Sequence, residues 1–328
     1  MTSRVQEITF LGQRAIRAAN GQLAFVVVPG WGSNVVSLVH EPTQTELLRV
    51  PDSAETFRRR PVLYGIPVLF PPNRIAGGRF TYRGREYRLD INEPARGNHI
   101  HGFVHTRRWE LVQAETDAAG RVCVETRFDA AAGPDREDIF RQFPHHFVIT
   151  LRFVLDGATL RKEAEVHNAG DEPFPFGLGF HTTFAFPERS ARFALDVAKR
   201  WRLDERMVPT GELEDFPFRE DLARGMSLAG VALDDAFYVG DEARPSVATL
   251  TYAAGTERLA VRYQADANFR HWVVYTADGR SGFVCPEPYT WITNAPNLDL
   301  PPGRTGLREL APGARERFAT AISVEPIS

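Results

Sequence analysis

The sequence predicts an all-β protein, a large β-sandwich or barrel with few short helices. Three observations carry this. Apolar and polar residues alternate with period two in several segments, the mark of half-buried strands. Glycine (26) and proline (23) are spread along 328 residues among Asn and Asp clusters, which suits many turns. Apolar residues at helical spacing are scarce.

The elements follow in chain order. Leu23–Val28 is apolar and valine-rich and stops at Pro29-Gly30. In 121–128, Val122, Val124, Thr126 and Phe128 share one face, and Arg121, Cys123, Glu125 and Arg127 share the other. Segments 147–155 and 159–166 read as two strands joined at Asp156-Gly157, a hairpin signal. Arg219–Arg224 reads as one or two helical turns stopped by Gly225. Segment 259–263 and His271–Tyr275 are further strands, the second closed by Ala277-Asp278-Gly279. No repeat, low-complexity stretch or linker interrupts the chain, so a single domain over residues 1–328 is expected.

Composition excludes several partners. With 43% hydrophobic and 25% charged residues the chain is ordinary globular material, and a net charge of −3 without a basic stripe argues against nucleic acid. The densest basic run, Arg58-Arg59-Arg60, reads as a solvated surface turn. No apolar run is long enough to span a bilayer, so no membrane partner is expected. Cys123 and Cys285 do not make a disulfide framework, and residues 1–20 lack the features of a signal peptide. A cytoplasmic protein, monomeric or homodimeric, is the expectation.

Four segments carry candidate chemistry. They are Tyr64 to Ile75 with Asn73-Arg74, Asn98-His99-Ile100-His101-Gly102-Phe103, His167 to Phe184 containing Pro175-Phe176-Gly177-Leu178-Gly179-Phe180-His181, and Cys285-Pro286-Glu287-Pro288-Tyr289-Thr290 with Asn294 and Asn297 behind it. In this order they resemble the aldose 1-epimerase (galactose mutarotase) family, from about Gly65 to Asn297.

That resemblance implies a galactose mutarotase-like supersandwich and a sugar mutarotase that needs neither cofactor nor metal. In such chemistry a base takes the proton of the anomeric hydroxyl, an acid protonates the ring oxygen, and the open aldehyde turns before reclosing. The resemblance makes Glu287 the base and His181 the acid, with His101 supporting the substrate near the ring oxygen. Asn73 and Arg74 match a hydroxyl-binding pair. Asp234 matches a substrate-binding aspartate, with Asp235 adjacent to it.

The chain also departs from the family pattern. Thr182-Thr183 follows His181 where Pro-Tyr is usual, and Phe103 takes the place of a glycine. His101-Gly102-Phe103 is similar instead to the hexose-6-phosphate 1-epimerase branch. A phosphate would need converging cations, for which Arg58, Arg59, Arg60, Arg107 and Arg108 are candidates. A non-catalytic sugar-binding protein and a glycosidase using Glu287 with Asp234 are further alternatives.

The remaining residues have structural readings beside functional ones. His99 and His101 share a face if extended, with His105 nearby, which makes a metal site conceivable; the structural reading is preferred. His40, His167 and His271 are read as structural. Cys285 shares strand parity with Glu287 and is read as an inert buried thiol. Phe103, Tyr289 and Trp291 are candidates to stack on a sugar face or to pack in the core.

Overall fold

In the computed structural model, which describes residues 3–327, the alternating segments pair into one five-stranded and two eight-stranded sheets. The five-stranded sheet runs antiparallel in chain order through Arg4–Phe10, Gln13–Ala19, Leu23–Val28, Asn34–His40 and Thr45–Glu46. The first eight-stranded sheet is built around the hairpin Phe147–Asp156 and Thr159–Asn168. Asp156 pairs with Thr159, which leaves a two-residue turn at Gly157-Ala158. Val122–Asp129 flanks this hairpin on one side and Arg315–Ile327 on the other. Val122, Val124, Thr126 and Phe128 are buried and Arg127 is exposed, as the alternation predicts.

The second eight-stranded sheet holds Pro209–Glu214, Lys199–Leu203, Asp234–Tyr238, His271–Tyr275, Phe283–Tyr289, Gly179–Phe180 and Val68–Leu69 in spatial order, with Phe184–Ala185 also paired to Phe283–Tyr289. Its inner face meets the first eight-stranded sheet. Tyr263 of the first packs edge-on to Trp272 of the second, with ring centroids 5.6 Å apart, and Phe184 lies 5.8 Å away on the same ring. The Thr182 hydroxyl donates to the Tyr263 hydroxyl at 2.9 Å across this seam. Deleting a buried ring of this size costs roughly 3–5 kcal/mol, so the seam anchors the strands that carry the candidate site.

Helix is scarce, and three of the four short α-helices among the described residues lack a clear sequence signal. Arg219–Arg224 forms as predicted and ends at Gly225. Ala54–Arg59, Arg136–Gln142 and Pro302–Thr305 are additional. The first corrects the turn expected at the arginine run to a helix end, while all three arginines are exposed as expected. Arg58 and Arg59 close a helix whose N-cap, Ser53, accepts from the Thr56 amide at 3.1 Å, and Arg60 is its C-cap. No helix among the described residues is long and apolar enough to cross a membrane.

One local irregularity positions the chemistry. Phe283–Tyr289 is paired to His271–Tyr275 from Cys285 through Tyr289. On its other edge Gly179 pairs with Tyr289, and Phe184–Ala185 with Val284 and Phe283. Between these two short contacts the ladder opens opposite residues 285–288. Antiparallel strands direct alternate amides to opposite neighbours. Pro286 and Pro288 have no amide hydrogen, so no amide donor of theirs is left unpaired where they face the gap. Residues 181–183 cross the opening and pair outward instead. The His181 and Thr183 amides donate to the carbonyls of Pro67 and Gly65 at 3.0 and 2.9 Å.

Candidate active site

The four sequence segments, joined by Asp234 from a fifth, meet at one cleft of about 460 Å³, lined by Asn73, Arg74, His101, His181, Asp234 and Glu287 among others. All six predicted site residues are therefore brought together. A groove of about 570 Å³ elsewhere is lined by Arg14, Arg108, Arg127 and Asp129 but by no histidine. The first cleft is the one that brings a buried histidine and a buried carboxylate together.

Glu287 and His181 form its floor. Their relative exposures are 1% and 4%, and His181 Nε2 lies 3.1 Å from Glu287 Oε1. The Tyr289 hydroxyl donates to Glu287 Oε2 and receives a hydrogen bond from Asn73 Nδ2 at 3.3 Å. Asn73, Tyr289, Glu287 and His181 thus form one connected chain of polar groups. Burial pushes the Glu287 carboxyl well above its usual range, against the lowering effect of the Tyr289 hydrogen bond. Burial also lowers the His181 imidazole to about 3. Both shifts favour the uncharged forms, a carboxylic acid beside a neutral imidazole, which amounts to one acidic proton for the pair.

His101 enters from a backbone turn. Its φ is +67°, in the left-handed region where histidine is less disfavoured than most residues, and its amide donates to the Asn73 carbonyl at 3.0 Å. This turn ends the extended segment and separates the two histidines of His99-Ile100-His101. His99 Nδ1 bonds the Asp90 carbonyl at 2.8 Å and its ring packs on Phe103. The His101 ring is edge-on to His181, with centroids 5.3 Å apart, and is 6.3 Å from His105. The expectation that His99 and His101 share a face is overturned. Burial, followed by the charges of His181, His105 and Arg74, holds His101 well below 6.5 and hence neutral.

The same turn requires glycine at 102. Gly102 has φ +68°, and a Cβ there would lie 2.1 Å from the Phe70 carbonyl oxygen. Gly102→Ala is therefore expected to destabilise the protein by about 3 kcal/mol or more, read as a lower urea midpoint at unchanged slope. A midpoint within error of the parent would show that the turn relaxes freely. Gly179 is constrained in the same way, since a Cβ there would meet the Tyr289 ring at 2.2 Å. The Gly-Leu-Gly-Phe-His stretch thereby lies flat on the strand that carries Glu287.

Arg74 is not a surface ion pair. Its side chain is 9% exposed, and it grips Glu93 through Nε at 3.0 Å and Nη2 at 3.1 Å. Burial alone would raise the Glu93 carboxyl, but hydrogen bonds from Arg74 and Asn98 outweigh it and hold the group below its usual value. Arg74 Nη2 also lies 3.7 Å from Asp234 Oδ2. Burial raises Asp234, with Arg74 and Arg96 opposing. Asp235 is committed elsewhere, to Arg200 at 3.0 Å, so of the two aspartates Asp234 faces the cleft. Asn294 Oδ1 accepts from the Ala76 amide at 3.0 Å and Asn297 Nδ2 donates to Asn294 at 2.7 Å, so both brace the Arg74 segment.

Sequence reasoning missed two parts. Tyr289 is a polar link rather than a stacking platform, although its i+2 relation to Glu287 places both on one strand face. Glu93, which orients Arg74, sits in a loop without a motif. Phe103 and Trp291 are buried packing residues away from the cleft. Thr182 and Thr183 are fully buried behind it, and Thr183 Oγ1 lies 3.3 Å from Cys285 Sγ. Of the basic residues considered for a phosphate, Arg59 and Arg60 line the cleft, whereas Arg107 is tied to Asp138 and the Phe103 carbonyl and Arg108 faces the other groove.

Comparison with known proteins gives the family. The uncharacterized proteins YphB and YihR of Escherichia coli (strain K12) are 30% identical over 145 residues and 28% identical over 204. These matches cover 44% and 61% of this chain, and 44% and 60% of the two proteins, so the chain spans about half the length of the curated relatives it matches. Among solved structures, a galactose mutarotase-like protein from Clostridium acetobutylicum has a TM-score of 0.92 at 27% identity, covering 99% of each chain. The galactose 1-epimerase from Lactobacillus acidophilus NCFM shares the fold at a TM-score of 0.73 and 17% identity, covering 100% of this chain and 99% of that one. The sequence profile of the aldose 1-epimerase family matches residues 14–323, and the chain belongs to that family.

Proposed function

We propose that this protein is a mutarotase that interconverts the α and β anomers of an aldose, with Glu287 as base and His181 as acid. The observation that carries the reading is the 3.1 Å contact between His181 Nε2 and Glu287 Oε1 at the floor of a polar cleft. Ring opening needs a base at the anomeric hydroxyl and an acid at the ring oxygen. The two oxygens are bonded to the same carbon, so acid and base must be near neighbours.

One proton on the pair is the stoichiometry the reaction requires. In the reactive tautomer Glu287 is a carboxylate and His181 an imidazolium. Opening moves the hydroxyl proton to Glu287 and the His181 proton to the ring oxygen, which leaves both groups neutral. Burial favours that neutral state, so the protein side of the step discharges a buried ion pair. Reclosing on either face of the aldehyde reverses the transfers. Neutral His101 supplies a hydrogen bond near the reacting oxygens, and Arg74, Asn73 and Asp234 hold hydroxyls.

The pH dependence follows from the same shifts. Falling pH adds a second proton only near the about 3 of His181, and rising pH removes the shared proton only above the raised range of Glu287. The rate is expected to be level through pH 6.5, without the limb of an ordinary histidine. A half-maximal point near 6.5 in kcat would contradict a shared, buried proton.

A second reading, anomer exchange of a sugar phosphate, is favoured by Arg59, Arg60 and Arg96 along the cleft. Arg59 is paired to Glu55 and Arg96 to Glu93, whereas Arg60 has no ion pair among the described residues. NMR magnetisation transfer between anomers, run on a panel of free and phosphorylated aldoses, tests both readings. Exchange accelerated only for phosphorylated sugars would replace the free-sugar reading, and acceleration of none would end both.

A further inference from the structure

We propose that His181, Cys285 and Glu287 form a binding site for a soft divalent metal ion, zinc or cadmium, whose occupancy blocks the acid–base pair. One ligand atom from each of these three buried residues lies within 4.8 Å of the other two. The spacing follows from the strand. Cys285 and Glu287 alternate on one face of Phe283–Tyr289, and the opened ladder brings His181 against that face.

The geometry is close to what a tetrahedral ion takes. Bonds of about 2.0–2.3 Å put neighbouring ligand atoms roughly 3.3–3.5 Å apart. His181 Nε2 and Glu287 Oε1 already stand at 3.1 Å. The sulfur lies within 4.8 Å of both partners, so it has to move inward by at most roughly 1.5 Å, a side-chain adjustment. A thiolate with one imidazole and one carboxylate is a donor set suited to zinc or cadmium rather than to calcium or magnesium.

Charge also balances. The Cys285 S–H bond breaks, the proton shared by Glu287 and His181 leaves, and bonds from sulfur, oxygen and nitrogen to the metal form. Two protons go to solvent and no electron moves. A dication with one thiolate, one carboxylate and a neutral imidazole has no net charge, which a buried site tolerates. The fourth position opens to the cleft that His181 and Glu287 line, so sugar and metal compete. Metal binding does not depend on the mutarotase reading, but inhibition does.

The test uses the full chain, metal-free and reduced. Cadmium chloride is titrated while the ultraviolet thiolate-to-cadmium band is recorded, and zinc inhibition of anomer exchange is measured separately, normalised to each variant's own uninhibited rate. One equivalent of band is expected in the parent and in Cys123→Ala. It is expected to vanish in Cys285→Ala and in the conservative Cys285→Ser. Changing an outer partner of a metal ligand already costs about 10–100-fold in affinity, so losing the thiolate is expected to raise the inhibitory zinc concentration by at least about a hundredfold. A band that persists in both Cys285 variants, or none in the parent, overturns the site. If no sugar is turned over, the mutarotase reading fails while the cadmium band still decides the site.

Discussion

Glu287→Gln is expected to lower the rate of anomer exchange by roughly two to four orders of magnitude while leaving sugar affinity nearly intact. Glutamine has the same shape. Its amide oxygen can accept from the Tyr289 hydroxyl in place of Oε2, and its amide nitrogen can donate to His181 Nε2 in place of the shared proton. The floor of the cleft therefore keeps its hydrogen bonds, and Arg74, Asn73 and Asp234 are untouched. What disappears is the capacity to take a proton from the anomeric hydroxyl. Stability is expected to hold or rise, because an amide replaces a carboxyl that burial already strains toward neutrality. Polarimetry and exchange NMR read the rate, and saturation of the residual rate reads affinity. A near-parental rate would remove Glu287 from the reaction. A large loss with a lowered unfolding midpoint would mean that the site has collapsed instead.

The strand architecture was legible because its signals are local. Residues 121–128 show which face is buried, and Asp156-Gly157 marks a turn whatever surrounds it. Gly225 ends a helix that nothing else would have delimited. Ala54–Arg59 and Arg136–Gln142, of six and seven residues, are too short for a 3.6-residue period to repeat, so they left no comparable trace. The candidate site was legible as residue types in four segments, but not as a geometry. That Asn73 reaches Glu287 through Tyr289 depends on strand pairing across more than two hundred residues. The role of Glu93 was invisible, since an acidic residue in a loop looks the same whether it orients an arginine or faces water. The separation of His99 from His101 needed a backbone angle that composition does not reveal.

His181→Asn is the second large effect, and it separates proton transfer from positioning. Asparagine can present an N–H toward the ring oxygen but cannot give its proton away, so the loss is again expected at roughly two or more orders of magnitude. Acid and base act on one proton inventory. The double variant Glu287→Gln/His181→Asn is therefore expected to be about as slow as the slower single one, not the product of the two losses. The pH profile supplies the sign. In His181→Asn the Glu287 carboxyl remains buried and loses the neighbour that shared its proton, so its upward shift persists or grows. A base is active only when ionised. The residual rate of His181→Asn should therefore climb with pH across the range where the parent is level, and Glu287→Gln should show no such climb. Additive losses together with a level profile in His181→Asn would mean that the two residues serve separate tasks, and the shared proton would no longer describe the site.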